Sequence, residues 1–265
     1  QQFFCDPHPQ QNSHLLRLIE VSQLRKSYGT QEVLAGVNLS IDRGESAVII
    51  GGSGCGKSVL LRHIIGLIQP DSGDVKINGE SIVELNERQL IKVRRKFGML
   101  FQGAALFDSL TVEENVGFLL DREQTLSRAE IKKTVAEALE LVDLAGTQDK
   151  KPAELSGGMR KRVGLARAIV YKPEIIVYDE PTTGLDPVVS DSIDQLVIKM
   201  RDQLNCTSIV VTHDTRSMRR VGNHVMMLHH GVIHANGKPD EIFNSTDPIV
   251  HKFVNGIADP KDLEF

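Results

Sequence analysis

Short apolar runs alternate along this chain with longer stretches in which apolar residues recur every three or four positions, the rhythm of strands followed by helices. Residues 15–21 and 37–41 alternate apolar and polar and predict strands. Ser46–Ile50 is a continuous apolar run suited to a strand buried on both faces, and behind it Leu60, Leu61, Ile64, Ile65 and Ile68 fall at helical spacing. Pro70-Asp71-Ser72-Gly73 forms a turn, and Val75, Ile77 and Ile82 flank Asn78-Gly79, a hairpin pair. A helix over 87–96, a buried strand over 98–101 and helices over 111–120 and 128–144 follow, the last with Ile131, Val135, Ala138, Leu139 and Val142 on one face. A further helix runs to Ile169, then come a strand at Ile175–Asp179, a helix whose stripe is Val189, Ile193, Leu196, Val197, Met200 and Leu204, and strands over 208–212 and 225–228. The pattern predicts an α/β fold with a helical interlude.

The two ends differ from this core. Residues 1–14 are polar with two prolines and are expected to form a flexible segment. Residues 240–265 form a tail in which Asp247-Pro248 makes an N-cap and first turn, Ile249, Val250, Phe253, Val254 and Ile257 make a narrow apolar stripe, and Asp259-Pro260 breaks it. Such a helix is expected to dock on its own domain or, from a polar linker, to contact a second copy or another partner.

Composition narrows the class. With 40% hydrophobic and 25% charged residues, the chain reads as a soluble globular protein. A net charge of −4 supplies no global basic footprint, so nucleic acid is not expected as a partner. No apolar run approaches the roughly eighteen residues that span a bilayer, so a membrane role would act through another protein. Cys5, Cys55 and Cys206 are too dispersed for a disulfide framework or a metal cluster and fit a reducing compartment.

The chemistry concentrates after the first buried strand. Gly51-Gly52-Ser53-Gly54-Cys55-Gly56-Lys57-Ser58 fits the phosphate-loop pattern G-x-x-x-x-G-K-[ST] between a strand and a helix. Its glycines let successive N–H groups turn inward around phosphate oxygens, and the new helix aims its positive end at the same anion. Lys57 would reach the β- and γ-phosphates and the Ser58 hydroxyl would ligand Mg²⁺. Alone, Tyr28 is a strand-end aromatic; ahead of a phosphate loop it becomes a platform for adenine. Leu155-Ser156-Gly157-Gly158-Met159 opens a helix as a second anion site or a glycine-rich N-cap, and two such sites in one chain suggest that one serves a neighbouring copy. Asp179 and Glu180 end an apolar strand, where beside a phosphate loop they are expected to anchor Mg²⁺ and orient the attacking water. His213 ends another strand at the edge where ligands of parallel sheets collect, whereas His229 and His230 read as surface residues.

The order of Tyr28, the phosphate loop, Gln102, residues 155–159, Ile175–Asp179, Glu180, Asp186 and His213 resembles that of an ABC-transporter nucleotide-binding domain over about residues 15–239. The resemblance implies an ABC-type P-loop NTPase with a RecA-like α/β core, an N-terminal antiparallel β-subdomain and a helical subdomain near 103–172. It implies ATP and Mg²⁺ as cofactors and ATP hydrolysis coupled to transport. Carried onto this chain, Tyr28, Gly51, Gly52, Ser53, Gly54, Cys55, Gly56, Lys57, Ser58 and Val59 bind ATP; Ser58, Gln102 and Asp179 hold Mg²⁺; Glu180, His213 and Lys57 are catalytic. Leu155, Ser156, Gly157, Gly158, Met159 and Asp186 would act in trans on the ATP of a second copy in a head-to-tail dimer. Met159 stands where glutamine is commonest and Val59 where threonine is frequent; neither departure removes a group that handles phosphate or metal.

Residues 101–112 together with 155–163 also resemble the ATPases of the Mla, Mce and chloroplast TGD lipid transporters, a match that importer ATPases share in part. That resemblance implies integral membrane permease subunits and an Mce-domain lipid-binding protein as partners. It places the subunit on the cytoplasmic face of the bacterial inner membrane or the stromal face of the plastid inner envelope. The ATPase of a small-solute importer, for example for amino acids, is the alternative reading. A soluble non-transport ABC ATPase is disfavoured, since the chain lacks a coiled-coil insert, zinc cysteines and a second ATPase core. Leu106 and Phe107 are expected either at the surface of the helical subdomain, where a permease would dock, or packed inside it.

Overall fold

The computed structural model describes residues 17–257; the segment 1–14, Cys5 and Asp259-Pro260 lie outside the described residues. Two sheets organise the chain. Strands β1 (Arg17–Tyr28) and β2 (Gln31–Asp42) form a long antiparallel hairpin, and β4 (Ser72–Ile77) and β5 (Glu80–Ser81) extend it in the order β2-β1-β4-β5. Asn78 and Gly79, at φ of 56° and 79°, link β4 to β5 with the left-handed backbone that this pair adopts in tight hairpins.

The second sheet contains β3 (Ser46–Ile50), β6 (Phe97–Leu100), β7 (Ile175–Asp179), β8 (Thr207–Val211), β9 (His224–His229) and β10 (Val232–Gly237), in the order β10-β9-β3-β8-β7-β6. All pairs are parallel except the β9–β10 hairpin. Alternation along each strand divides the interior in two. Val48, Ile50, Ile176, Tyr178 and Val210 face one core, while Ala47, Ile49, Ile175, Val177, Ile209 and Val211 face the other. Because both faces are covered, these strands read in sequence as unbroken apolar runs.

The second of those cores is closed by the antiparallel sheet and by α1 (Lys57–Ile64). The first is closed by the helical subdomain, namely α3 (Val112–Glu123), α4 (Arg128–Leu141) and α5 (Gly157–Ile169), and by α6 (Pro187–Leu204) and α7 (Thr215–Val221). Thr111 and Ser127 cap α3 and α4 with reciprocal bonds to Glu114 and Glu130, as Asn86 caps α2 (Glu87–Arg94) with Gln89.

The tail read as a polar linker contains a short helix, α8 (Pro239–Phe243), and α9 (Pro248–Val254) follows it. Asp247 caps α9 through the N–H groups of Ile249 and Val250. Val250 and Val254 enter the same core as α6 and α7, Phe253 is half-buried against it, and Ile257 is exposed. Four of the five stripe residues, Ile249, Val250, Phe253 and Val254, therefore pack on their own domain.

Helices α6 and α7 are joined by a buried carboxyl. Asp194 is 5% exposed and accepts a 2.8 Å bond from Ser217 Oγ, while its other oxygen has no partner among the described residues. Burial pushes its pKa up to about 6, with the charge of Asp214 adding to the shift and the Ser217 bond opposing it. A raised carboxyl pKa costs no stability at acidic pH, where the group is neutral in both folded and unfolded chains, and costs most above the folded pKa. Asp194→Asn should therefore melt close to the parent below about pH 4 and be more stable above pH 6, by up to about 3 kcal/mol. Melting curves at the two pH values test this, and an equal shift at both would refute it.

Candidate active site

Four loops leave the same edge of the parallel sheet, and strand order fixes their order in space. Gln102 lies beyond β6, Asp179 and Glu180 at the end of β7, His213 beyond β8 and the phosphate loop after β3, spaced at about 4.8 Å per strand. Ligands of such sheets collect at this edge. Register brings two of the groups into contact. Asp179 pairs with Val211, and the Glu180 N–H donates to the Val211 carbonyl at 2.9 Å, so Glu180 emerges beside the turn that carries His213.

The phosphate loop takes its shape from its glycines. Gly51, Gly54 and Gly56 have φ of 151°, 73° and 105°. At Gly51 a Cβ would lie 2.3 Å from the Leu228 carbonyl oxygen and 2.7 Å from Cys55 Sγ, whereas at Gly52 and Gly54 it would meet nothing within 4 Å. The loop is thus tightly backed by β9 and open on its other side. Gly56 supplies no side-chain cap to α1, so the helix's first N–H groups are available to an anion. Lys57 Nζ arches over the loop, bonded to the carbonyls of Gly51 at 2.7 Å and Gly52 at 2.9 Å. Ser53 and Ser58 are exposed. Cys55 is half-buried, and burial pushes its thiol pKa up against the pull of Lys57. Val59 packs against the core, and its carbonyl lies 2.8 Å from His63 Nδ1, so its side chain serves packing.

Glu180 is the most constrained of the acids. Its Oε2 accepts from Thr183 Oγ1 at 2.9 Å and lies 2.8 Å from His213 Nδ1. Its own backbone is left-handed, φ 50°, an uncommon conformation for a side chain without a stabilising turn residue. Thr183 is a positioning group that the motifs did not announce; its signal is only its place three residues after the glutamate. Asp179 is half-buried, and burial first, then the neighbouring Glu180 charge, push its pKa up against the pull of Lys57. Two adjacent carboxylates in that setting call for a cation.

Other sequence-predicted residues divide by exposure. Gln102 is exposed at the strand edge. Tyr28 is half-exposed at the end of β1 with Lys26 Nζ 5.8 Å from its ring, and the hairpin that carries it abuts the loop, since a Cβ on Gly56 would lie 3.1 Å from Leu34. Within residues 155–159, Ser156 is exposed and caps α5 through the Met159 N–H at 3.3 Å. Leu155, by contrast, is buried in the core and Met159 is half-buried against it, because both face inward where the turn enters the helix. Gly158 is fixed by packing, since a Cβ there would lie 2.6 Å from Val189 Cγ1. Asp186 spends its carboxylate on the N–H groups of Val188 and Val189, capping α6.

These residues fit ATP and a divalent cation. The open faces of Gly52 and Gly54, the uncapped start of α1 and the cationic Lys57 accommodate a polyphosphate, and Ser58, Gln102 and Asp179 carry side-chain oxygens of the kind that Mg²⁺ prefers.

Comparison with known proteins identifies the family. A family model described as ABC transporter matches residues 34–183. A protein of Mycobacterium leprae named for ribonucleotide transport ATP binding is 41% identical over 90% of this chain and 69% of its own length. The chloroplastic TRIGALACTOSYLDIACYLGLYCEROL 3 protein of Arabidopsis thaliana is 40% identical over 91% of this chain and 74% of its own. The intermembrane phospholipid transport ATP-binding protein MlaF of Haemophilus influenzae is 36% identical over 91% of this chain and 92% of its own. Among solved structures, the dimeric post-hydrolysis state of the ATP-binding cassette MJ0796 with ADP and Pi superposes at a TM-score of 0.77 and 35% identity, covering 84% of this chain and 99% of that one. With its phosphate loop, acidic strand end and strand-edge histidine on one sheet edge, the chain belongs to the ABC transporter family, as an ATP-hydrolysing, MlaF-like ATP-binding subunit.

Proposed function

We propose that this subunit hydrolyses ATP to drive lipid movement through a separate membrane permease, working as a head-to-tail pair of copies. The phosphate loop and Lys57 hold the β- and γ-phosphates, and Tyr28 offers its ring to adenine. Ser58, Gln102 and Asp179 would hold Mg²⁺, which when bound neutralises charge on the phosphate oxygens. Glu180 orients the attacking water and accepts its proton, while His213, 2.8 Å from the same carboxylate, faces the γ-phosphate. Exposed Ser156 and the backbone at Gly157 serve the partner copy's ATP, with Asp186 at the junction between sites.

The observation that carries the coupling role is an apolar groove of about 600 Å³ beside Gln102. Ile91, Phe101, Phe107 and Leu119 reach it as exposed apolar side chains, an unusual concentration for a soluble surface. Of the two residues singled out in sequence, Leu106 packs against the core and Phe107 stays 45% exposed, stacked on Phe118 at 4.7 Å. Buried Asn115 holds the Phe107 main chain through bonds in both directions, at 2.8 and 3.1 Å. The groove suits an apolar segment of the permease. What supports lipid as cargo is the pair of relatives named for a glycolipid and a phospholipid; the relative named for ribonucleotide transport keeps the small-solute importer as the second reading. A third partner, an Mce-domain lipid-binding protein, belongs to the lipid reading, as does a peripheral position on the cytoplasmic face of the inner membrane, or the stromal face in a plastid. Among the described residues no helix is long and apolar enough to cross a membrane.

The test is reconstitution with the cognate permease in proteoliposomes, where labelled phospholipid and not a ribonucleotide or amino acid should move with ATP. In that assay Phe107→Ala should keep the isolated subunit's ATPase activity, since the Asn115 bonds are to main chain, and lose about tenfold or more in transport as the groove's aromatic anchor is removed. Normal transport by this variant would reject the groove as the docking site.

A further inference from the structure

Helix α5 reaches much further into the catalytic centre than its N-terminal turn. Lys161 is 5% exposed, and a lysine ammonium is not buried without partners. Here the partners are main-chain carbonyls. Nζ donates to the Glu180 oxygen at 3.1 Å and, in a shorter contact, to the Gln102 oxygen. One ammonium thus bridges the ends of β7 and β6, between the residue assigned above to the water and the residue assigned to the metal. The Glu180 carbonyl is available to it because the backbone there is left-handed.

A second cation on the same helix holds the next part of the loop. Arg167 donates to the carbonyls of Ala104 at 2.6 Å and Ala105 at 2.7 Å, and both alanines have positive φ, 60° and 46°. Between the cations, Gly164 lets the helix approach, since a Cβ would lie 2.9 Å from Leu100 and 3.2 Å from Ala104. Residues 161, 164 and 167 therefore form one face of α5 that grips residues 102–105, and Lys161 alone of them also reaches Glu180.

We propose that Lys161 is a positioning residue for hydrolysis: its buried ammonium ties the Glu180 main chain and the Gln102 loop to α5, so that the helix presenting Ser156 to a neighbour also sets the water-orienting carboxylate of its own copy. This rests on the assignment of Glu180 above. The link makes the two sites of a dimer sensitive to one rigid element, because a shift of α5 moves Ser156 and the Glu180 carbonyl together.

Lys161→Met keeps the aliphatic stem and removes the donor, while Lys161→Gln keeps two N–H donors on a shorter arm. In the full-length protein, kcat for Mg-ATP should fall about ten- to a hundredfold in the Met variant, the scale of a catalytic group displaced by an ångström, with KM for ATP unchanged within about twofold. Lys161→Gln should recover most of that loss, and amide hydrogen exchange at Ala104 and Glu180 should quicken in the Met variant while the phosphate loop exchanges as in the parent. Turnover by Lys161→Met within about twofold of the parent overturns the proposal. An equal loss in both variants with a matched fall in melting temperature also overturns it, by making Lys161 a packing residue. Glu180→Gln, measured alongside, separates the two assignments: turnover surviving in that variant sinks the role of Glu180 on its own, whatever Lys161 does.

Discussion

Glu180→Gln should bind ATP as tightly as the parent and hydrolyse it about a hundred- to ten-thousandfold more slowly, the share that a positioned general base contributes. The amide is nearly isosteric and keeps the contacts with Thr183 and His213 within reach, so nucleotide binding and folding are spared. It cannot accept a proton from water. The same left-handed backbone is asked of glutamine as of glutamate, so no new strain enters. Phosphate release measures the loss, a fluorescent nucleotide measures affinity, and size-exclusion with ATP should reveal a persistent dimer. Near-parental phosphate release would reject Glu180 as the group that activates water.

Lys57→Ala should have the opposite profile, failing at binding. The ammonium sits over the phosphate loop, bonded to the carbonyls of Gly51 and Gly52, so its orientation is set before any nucleotide arrives. Hydrogen bonds between a fixed cation and phosphate oxygens are each worth about 1.5–3 kcal/mol, so losing two should raise the Kd for ATP by roughly a hundredfold or more. Direct titration with Mg-ATP measures it. A Kd within a few fold of the parent, at any level of kcat, would show that the loop's backbone N–H groups bind the phosphates unaided.

Much of this architecture can be read from residue order, because the strands of the parallel sheet are buried on both sides and announce themselves as apolar runs. Ser46–Ile50 is found to the residue, and the run that ends in Asp179 and Glu180 overshoots the strand Ile175–Asp179 by one. The candidate groups Gln102, Asp179, Glu180 and His213 are equally legible, since each sits at or just past the end of such a run, where the order of the sheet brings them to one edge. Elements with mixed faces are harder. The hairpin β1–β2 is twelve residues per strand with several register shifts, which break the alternation that a strand is recognised by, so only its apolar portions show in sequence. β10 pairs only along one edge and exposes residues such as His234 and Asn236, and α7 carries three arginines in seven residues, so neither has a pattern to detect.

The site has a layer that no spacing announces. Leu155 and Met159 share a motif with Ser156 yet turn to the core, because the turn into α5 points alternate residues to opposite sides. Lys161 reads as one of three consecutive basic residues on a helix surface. Its signal is periodic: it stands three, four and seven residues before Gly164, Leu165 and Ala168, on the buried face, where a charge must find carbonyls to bond. Backbone conformation at Glu180 has no sequence signal at all.

That left-handed glutamate sets stability and turnover against each other at a single position. Its backbone would be held at lower cost, by about 1 kcal/mol, if residue 180 were glycine, and the neighbouring sheet would keep its register. Folding alone would favour glycine here, so on the role proposed for Glu180 the chain carries a small folding cost in return for a carboxylate at the end of β7.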